Sequence, residues 1–188
     1  INKETSFARF VINNINKNHN LLDIGCGNGR DTFFFYENNI KCDGIDKSTT
    51  VISNNKKIKK NIFKRIDFCK KKINFTKKYD IIYARFLIHA INLNGEKNFF
   101  RNVKKVSKKK SKIFLEFRTI KDPMMKKGEK MSTYERYYGH YRRFINPIEF
   151  RNKLIKNNFK IIFLKESKNF AIYKNQKPSI CRIIAKIK

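Results

Sequence analysis

The stretch "LLDIGCGNGR" (residues 21–30) carries a short apolar and acidic run straight into glycines at 25, 27 and 29. A strand that passes through such bare backbone into a helix sets peptide N–H groups beside a ligand. A dinucleotide site would carry G-x-G-x-x-G, whose third glycine lets helix and strand pack. Here the spacing is G-x-G-x-G, with Asp23 before it and Arg30 after it. No Lys-Ser or Lys-Thr follows, so the loop is not a P-loop either.

Outward from that stretch, strand and helix patterns alternate. Helices are expected over 5–18 (capped by Thr5 or Ser6), 30–39, 48–60 (opened by Ser48), 95–109 and 146–158 (Asn146 as cap, Pro147 at the first position). Strands are expected over 20–24, 40–46, 61–67, 79–86, 111–119, 159–167 and 179–188. Strands rich in Val, Ile and Phe between helices predict an α/β fold: a Rossmann-like, mostly parallel seven-stranded sheet, helices on both faces, and a C-terminal antiparallel hairpin. The link "DFCKKKINFTKK" is barely long enough for a crossover and reads as an irregular loop or short helix. The segment 120–145 has no clear period and is rich in Tyr, Arg and Gly, and "KNFAIYKNQKP" joins the last two strands.

The chain has 188 residues, enough for a single domain (1–188) with its own core. It begins with Ile rather than Met, so it is expected to be cut from a longer protein. No apolar run is long enough to cross a bilayer and no secretory signal is visible. Cys26, Cys42, Cys69 and Cys181 form no CxxC pair, which reads as reduced cysteine in a cytoplasmic chain; no metal site is expected. The formal charge of +30 invites a nucleic-acid partner. Lys, Asn, Ile and Phe are abundant together, however, as in A/T-rich codon usage, and Lys greatly outnumbers the Arg that readout favours. Nucleic acid is therefore the less favoured partner, and a small-molecule substrate the favoured one.

With these motifs in order, the chain from about Leu21 to Lys188 resembles the class I S-adenosylmethionine-dependent methyltransferases. Asp23, Gly25, Gly27 and Gly29 match the family's acidic residue and glycine loop; Asp46 in "GIDKS" and Asp67 in "RIDF" match the acidic residues after strands two and three. The resemblance implies S-adenosyl-L-methionine as cofactor. It assigns Asp23 to the ammonium group, directly or through water, Asp46 to the ribose hydroxyls, and Asp67 with Phe68 to the adenine; Arg30 is a candidate for the carboxylate or else a solvated helix residue. Cys26, Lys47, Ala84 and Arg85 complete the expected cofactor set. "HYRRFI" followed by a helix and hairpin resembles bacterial small-molecule members, including those similar to tellurite-resistance methyltransferases.

The expected reaction moves a methyl group to an O or N atom of a small, anionic molecule. The rivals are an RNA or protein methyltransferase domain of a longer chain, and a methyltransferase-like domain that binds without catalysis. An N/D-P-P-F/Y/W motif after strand four is absent, which disfavours methylation of DNA amino groups. Candidate catalytic residues are His89, His140 and Glu116. Tyr141, Arg142 and Arg143 are the candidate substrate contacts, on a lid formed by residues 120–145, because paired Arg forks suit carboxylate or phosphate.

Overall fold

The computed structural model describes residues 3–172 and 176–188. Residues 173–175, within the expected link between the last two strands, lie outside them.

The chain runs α1 (Ser6–Ile12), β1 (Asn20–Ile24), α2 (Arg30–Glu37), β2 (Lys41–Asp46), α3 (Thr49–Ile58), β3 (Phe63–Arg65), β4 (Tyr79–Arg85), α4 (Leu93–Val106) and β5 (Ser107–Arg118). Three short strands follow: β6 (Glu129–Lys130), β7 (Glu135–Tyr138) and β8 (His140–Arg143). Then come α5 (Pro147–Lys156), β9 (Phe159–Ser167) and β10 (Ile180–Ile187). The large sheet has the order β3-β2-β1-β4-β5-β10-β9; β1 to β5 pair in parallel, and β10 runs antiparallel to both neighbours.

Alternate residues of β1 feed two cores. Leu22 joins Val103 of α4 and Leu154 of α5 on one face, while Leu21 joins Phe7, Val11 and Phe35 of α1 and α2 on the other.

Three expectations change. The first helix stops at Ile12 rather than 18, because the asparagine-rich segment beyond it turns on its own amides: Asn14 donates to the Phe10 carbonyl and Asn16 accepts from the Asn18 N–H. The third strand shrinks to three residues because a 3-10 turn occupies Lys60–Ile62. The segment 120–145, for which no period is legible, contains a three-stranded antiparallel sheet, reversing at Gly139 where φ is 69°.

The link from β3 to β4 has neither helix nor strand, yet it is held firmly. Asn98, Arg101, Asn102 and Lys105 lie on one face of α4 at i, i+3, i+4, i+7 spacing. Their side chains donate to the carbonyls of Cys69, Lys71, Phe68, Lys70 and Ile73. That row of donors replaces the ladder a regular crossover would supply.

Helix α1, at seven residues, is too short to persist alone. Phe7 and Val11 are fully buried and contribute roughly 1.5–3 kcal/mol each. The buried carboxylate of Asp31 does the rest: it accepts from the Thr5 N–H and hydroxyl (2.9 and 2.8 Å) and from the Tyr83 hydroxyl (2.6 Å). Asp31→Ala orphans a buried phenol and unties α1. The expected cost is about 2–4 kcal/mol in urea unfolding, with faster amide exchange confined first to residues 5–12. An unchanged midpoint would refute the tether.

Candidate active site

Parallel strands deliver their carboxyl ends to one edge. At that edge the strand order reverses, with β2 on one side of β1 and β4 on the other, and a crevice opens between the diverging connections.

The glycine loop leaves β1 into this crevice. Gly25 and Cys26 donate to the Ile45 carbonyl, so the loop stays locked to β2. Gly27 is held from both sides: its N–H donates to Asp46 Oδ2 at 3.1 Å, and its carbonyl accepts from the Asn55 amide of α3 at 2.8 Å. Gly29 caps α2 at φ 75°, where a Cβ would lie 2.8 Å from the Phe63 ring.

Two adjoining cavities flank the loop. One, of about 240 Å³, is walled by Asp46 and Lys47, by Asp67, Phe68 and Cys69, and by Phe86, Leu87 and Ile91. The other, of about 350 Å³, is walled by Asp23, by the loop from Gly25 to Asn28, and by Arg30 and Tyr83. Gly25, Arg85 and Phe86 are common to both. Asp46 Oδ1 also accepts from the Ser48 N–H at 2.9 Å, so this carboxylate braces the loop and the start of α3 while facing the cavity. Asp67 accepts from the Cys69 N–H, and Phe68 lies edge-on to Phe99.

The acceptors, apolar slab and bare loop fit a molecule with a vicinal diol, an aromatic amine and an amino-acid tail. Asp46 offers two carboxylate oxygens at one wall; Asp67 stands beside the apolar slot of Ile66, Phe68, Leu87 and Ile91; no Cβ intrudes at Gly27. Asp23, at the tail end, accepts from the Thr32 hydroxyl at 2.6 Å. Burial, reinforced by nearby Asp31 and Asp46, pushes its carboxyl up to about 8 against the pull of Thr32 and Arg85.

The expected residues divide. Asp23, Gly25, Cys26, Gly27, Arg30, Asp46, Lys47, Asp67, Phe68 and Arg85 line the two cavities, and Gly29 supports the loop from below. Ala84 does not line them: it is fully buried in the core beneath, and the wall is formed by the three residues after it. The catalytic candidates need correction. His89 is buried, its Nδ1 accepts from the Arg118 N–H, and burial together with Arg118, Arg142 and Arg85 holds it well below the usual imidazole range. Glu116 is fully buried with one oxygen on Arg85 and the other on Arg182 (2.8 and 2.7 Å), leaving it no role as a free base. His140 is exposed on β8 beside Arg142.

The substrate candidates change too. Arg143 is buried, pairs with Glu96, which Lys153 also holds, and donates to the Ile91 carbonyl behind the cavity wall. Tyr141 donates to Glu135, and Arg142 to the Tyr138 carbonyl. None of the three lines either cavity. The thiols are inert: burial pushes those of Cys42, Cys69 and Cys181 up to about 12.

Sequence reasoning passed over Phe86, Leu87, Tyr83 and Asn55. Phe86 is the notable omission: a bulky residue at φ 58°, its N–H on the Glu116 carbonyl, its ring 4.0 Å from the Arg85 guanidinium carbon.

A family model described as "Methyltransferase domain" matches residues 15–158, and the chain belongs to that family of S-adenosylmethionine-dependent methyltransferases. A search of curated proteins finds no match. Among solved structures, the glycopeptide N-methyltransferase MtfA complexed with S-adenosyl-L-methionine is similar at 14% identity and a TM-score of 0.76, over 99% of this chain and 95% of that one. An S-adenosylmethionine-dependent methyltransferase from Clostridium acetobutylicum is similar at 14% identity and a TM-score of 0.75, over 96% and 90%. One from Methanosarcina mazei reaches 15% and 0.77, over 95% and 96%. No helix among the described residues is long and apolar enough to cross a membrane.

Asp23 generates a pH test. Its folded carboxyl titrates above its unfolded value, so the folded chain holds a proton that the unfolded chain releases between about pH 4 and 8. The ligand-free chain therefore loses this contribution to stability as pH rises through that window. Asp23→Asn keeps an acceptor for Thr32 and cannot ionise. Its stability relative to wild type is expected to grow by about 1.4 kcal/mol per pH unit from pH 4 to 8, on the order of 5 kcal/mol in all, and then level off. A difference that stays flat with pH, measured by denaturant unfolding, would contradict the buried protonated carboxyl.

Proposed function

We infer that this enzyme methylates an O or N atom of a small molecule that carries an anionic group. The observation carrying the reading is that Arg30 and Arg85, which wall the tail cavity, also border the space beyond it toward α1, so that space is lined by guanidiniums. When bound, S-adenosylmethionine supplies an electrophilic methyl on a positively charged sulfur. Asp46 would accept from both ribose hydroxyls, Asp67 from the adenine amine, and Asp23 from the ammonium, giving up its proton as that charge arrives. Phe68, Leu87 and Ile91 would enclose the base. The chain's part would be to present the acceptor's lone pair in line with that methyl. With His89 and Glu116 committed elsewhere, the acceptor's proton passes to solvent, and the chain contributes alignment and exclusion of water. From the 120–145 segment, Arg143 would brace the Ile91 carbonyl behind the cavity wall rather than touch substrate.

A macromolecular acceptor is the second reading; the exposed Tyr137 and Tyr138 of β7 and the charge of +30 favour it. Generic RNA bound with a steep, linear dependence on log salt would support it. For the first reading, Asp46→Ala should cost about ten- to a hundredfold in S-adenosylmethionine affinity by calorimetry, the equivalent of roughly 1.5–3 kcal/mol for charge-assisted bonds. Asp46→Asn, which keeps an acceptor for Gly27, should lose less. Equal affinity in a folded Ala variant would remove the ribose assignment.

A further inference from the structure

A third cavity adjoins the tail cavity. It measures about 350 Å³ and lies between the first residues of α1 and the segment after β9, bordered by Glu4, Arg9, Asn169 and Ile172. Arg30 and Arg85 line it as well as the tail cavity, and Arg85 alone lines all three.

The charges in this crevice are unevenly spent. Arg9 is exposed and takes the Glu4 carboxylate at 3.2 Å, so the one acid there is occupied. Arg30 is half-buried, and among the described residues its guanidinium has no hydrogen-bond partner. Among the described residues Arg85 is held through Nε alone, on Glu116, with its guanidinium carbon 4.0 Å from the centre of the Phe86 ring; its two terminal nitrogens have no partner there.

Glu116 is itself fixed. Its second oxygen takes Arg182, which donates to the Ser6 hydroxyl of α1 at 2.8 Å and lies over the Phe170 ring at 4.1 Å. One buried carboxylate thus ties the sheet to both walls of the crevice while setting the orientation of Arg85. A guanidinium held at one end and set against an aromatic ring is pre-organised for a planar oxyanion.

We propose that the crevice between α1 and Asn169–Ile172 is the acceptor's anion site, with Arg30 and Arg85 clamping a carboxylate or phosphate and Glu116 as the positioning residue for Arg85. The proposal rests on the methyltransferase reading above and gives its acceptor a place and a handle. The clamp sits on the cofactor side of the molecule, at the base of α1, and not on the 120–145 segment.

The test uses the whole chain saturated with S-adenosylhomocysteine, so that the tail cavity is filled. Sodium phosphate and sodium acetate are titrated separately at fixed ionic strength, and arginine Nε–H resonances are followed by NMR. Saturable shifts at Arg85 and Arg30 are expected for at least one anion. Phosphate alone marks a phosphorylated acceptor, acetate alone a carboxylate one. Arg30→Gln, on a half-exposed side chain that the fold tolerates, should weaken that anion at least fivefold, whereas Lys104→Gln at the far edge should not. Glu116→Gln should weaken it by a larger factor than it weakens S-adenosylhomocysteine. Shifts that grow linearly without saturating would overturn the clamp. So would shifts that saturate only in the absence of S-adenosylhomocysteine, since the arginines would then serve the cofactor's own carboxylate. Failure to bind S-adenosylhomocysteine at all would refute the methyltransferase reading, and this site with it.

Discussion

The parallel pairing of β1 with β2 on one side and β4 on the other fixes everything at the functional edge. Asp23 sits opposite Gly44 and Tyr83, and Ile24 opposite Ile45, so the strands end level. From that register the glycine loop must leave beside Asp46, and its N–H and carbonyl groups find Asp46 and Asn55 without rearrangement. A one-residue slip would turn Leu21 and Leu22 to the wrong cores and carry the loop away from its carboxylate. The loop's bare backbone is affordable because these partners, rather than its own side chains, define its path.

The second organising theme is the use of buried carboxylates as shared anchors. Glu116 holds two arginines, Glu96 holds Arg143 and Lys153, Asp31 holds a backbone amide and two hydroxyls, and Asp43 holds Lys77 and Tyr79. Removing any one of them strands several groups at once, which is where buried ion pairs become expensive. These anchors lie between elements distant in sequence: β4, β5, β10 and α1 for Glu116. They join the walls of the site into one frame.

What the sequence made legible follows from this physics. The cofactor edge was readable because the glycine spacing and the aspartates after the second and third strands are local signals, each within a few residues of its strand end. The sheet was readable from its apolar runs. Glu116 and His89 looked like chemistry because acid and imidazole are rare in this chain; only tertiary packing reveals that both are buried and already bonded. The small sheet in 120–145 was missed because its strands are two to four residues long, although Gly139 between Tyr- and Arg-rich runs was a hairpin signal. Phe86 could not have been anticipated: a positive φ at a large aromatic residue is forced by what surrounds it, and no local preference announces it.

The 45 basic and 15 acidic residues give the chain an asymmetric tolerance to mutation. Most lysines stand in solvent and any polar residue could replace them, so their number can drift with genome composition at little cost. The carboxylates have no such slack, because several of the few present serve two or three partners each. Substitution in such a chain is therefore cheap at most lysines and costly at the shared carboxylates. A fold held by so few shared side chains is compatible with the 14–15% identity to solved structures of the same fold.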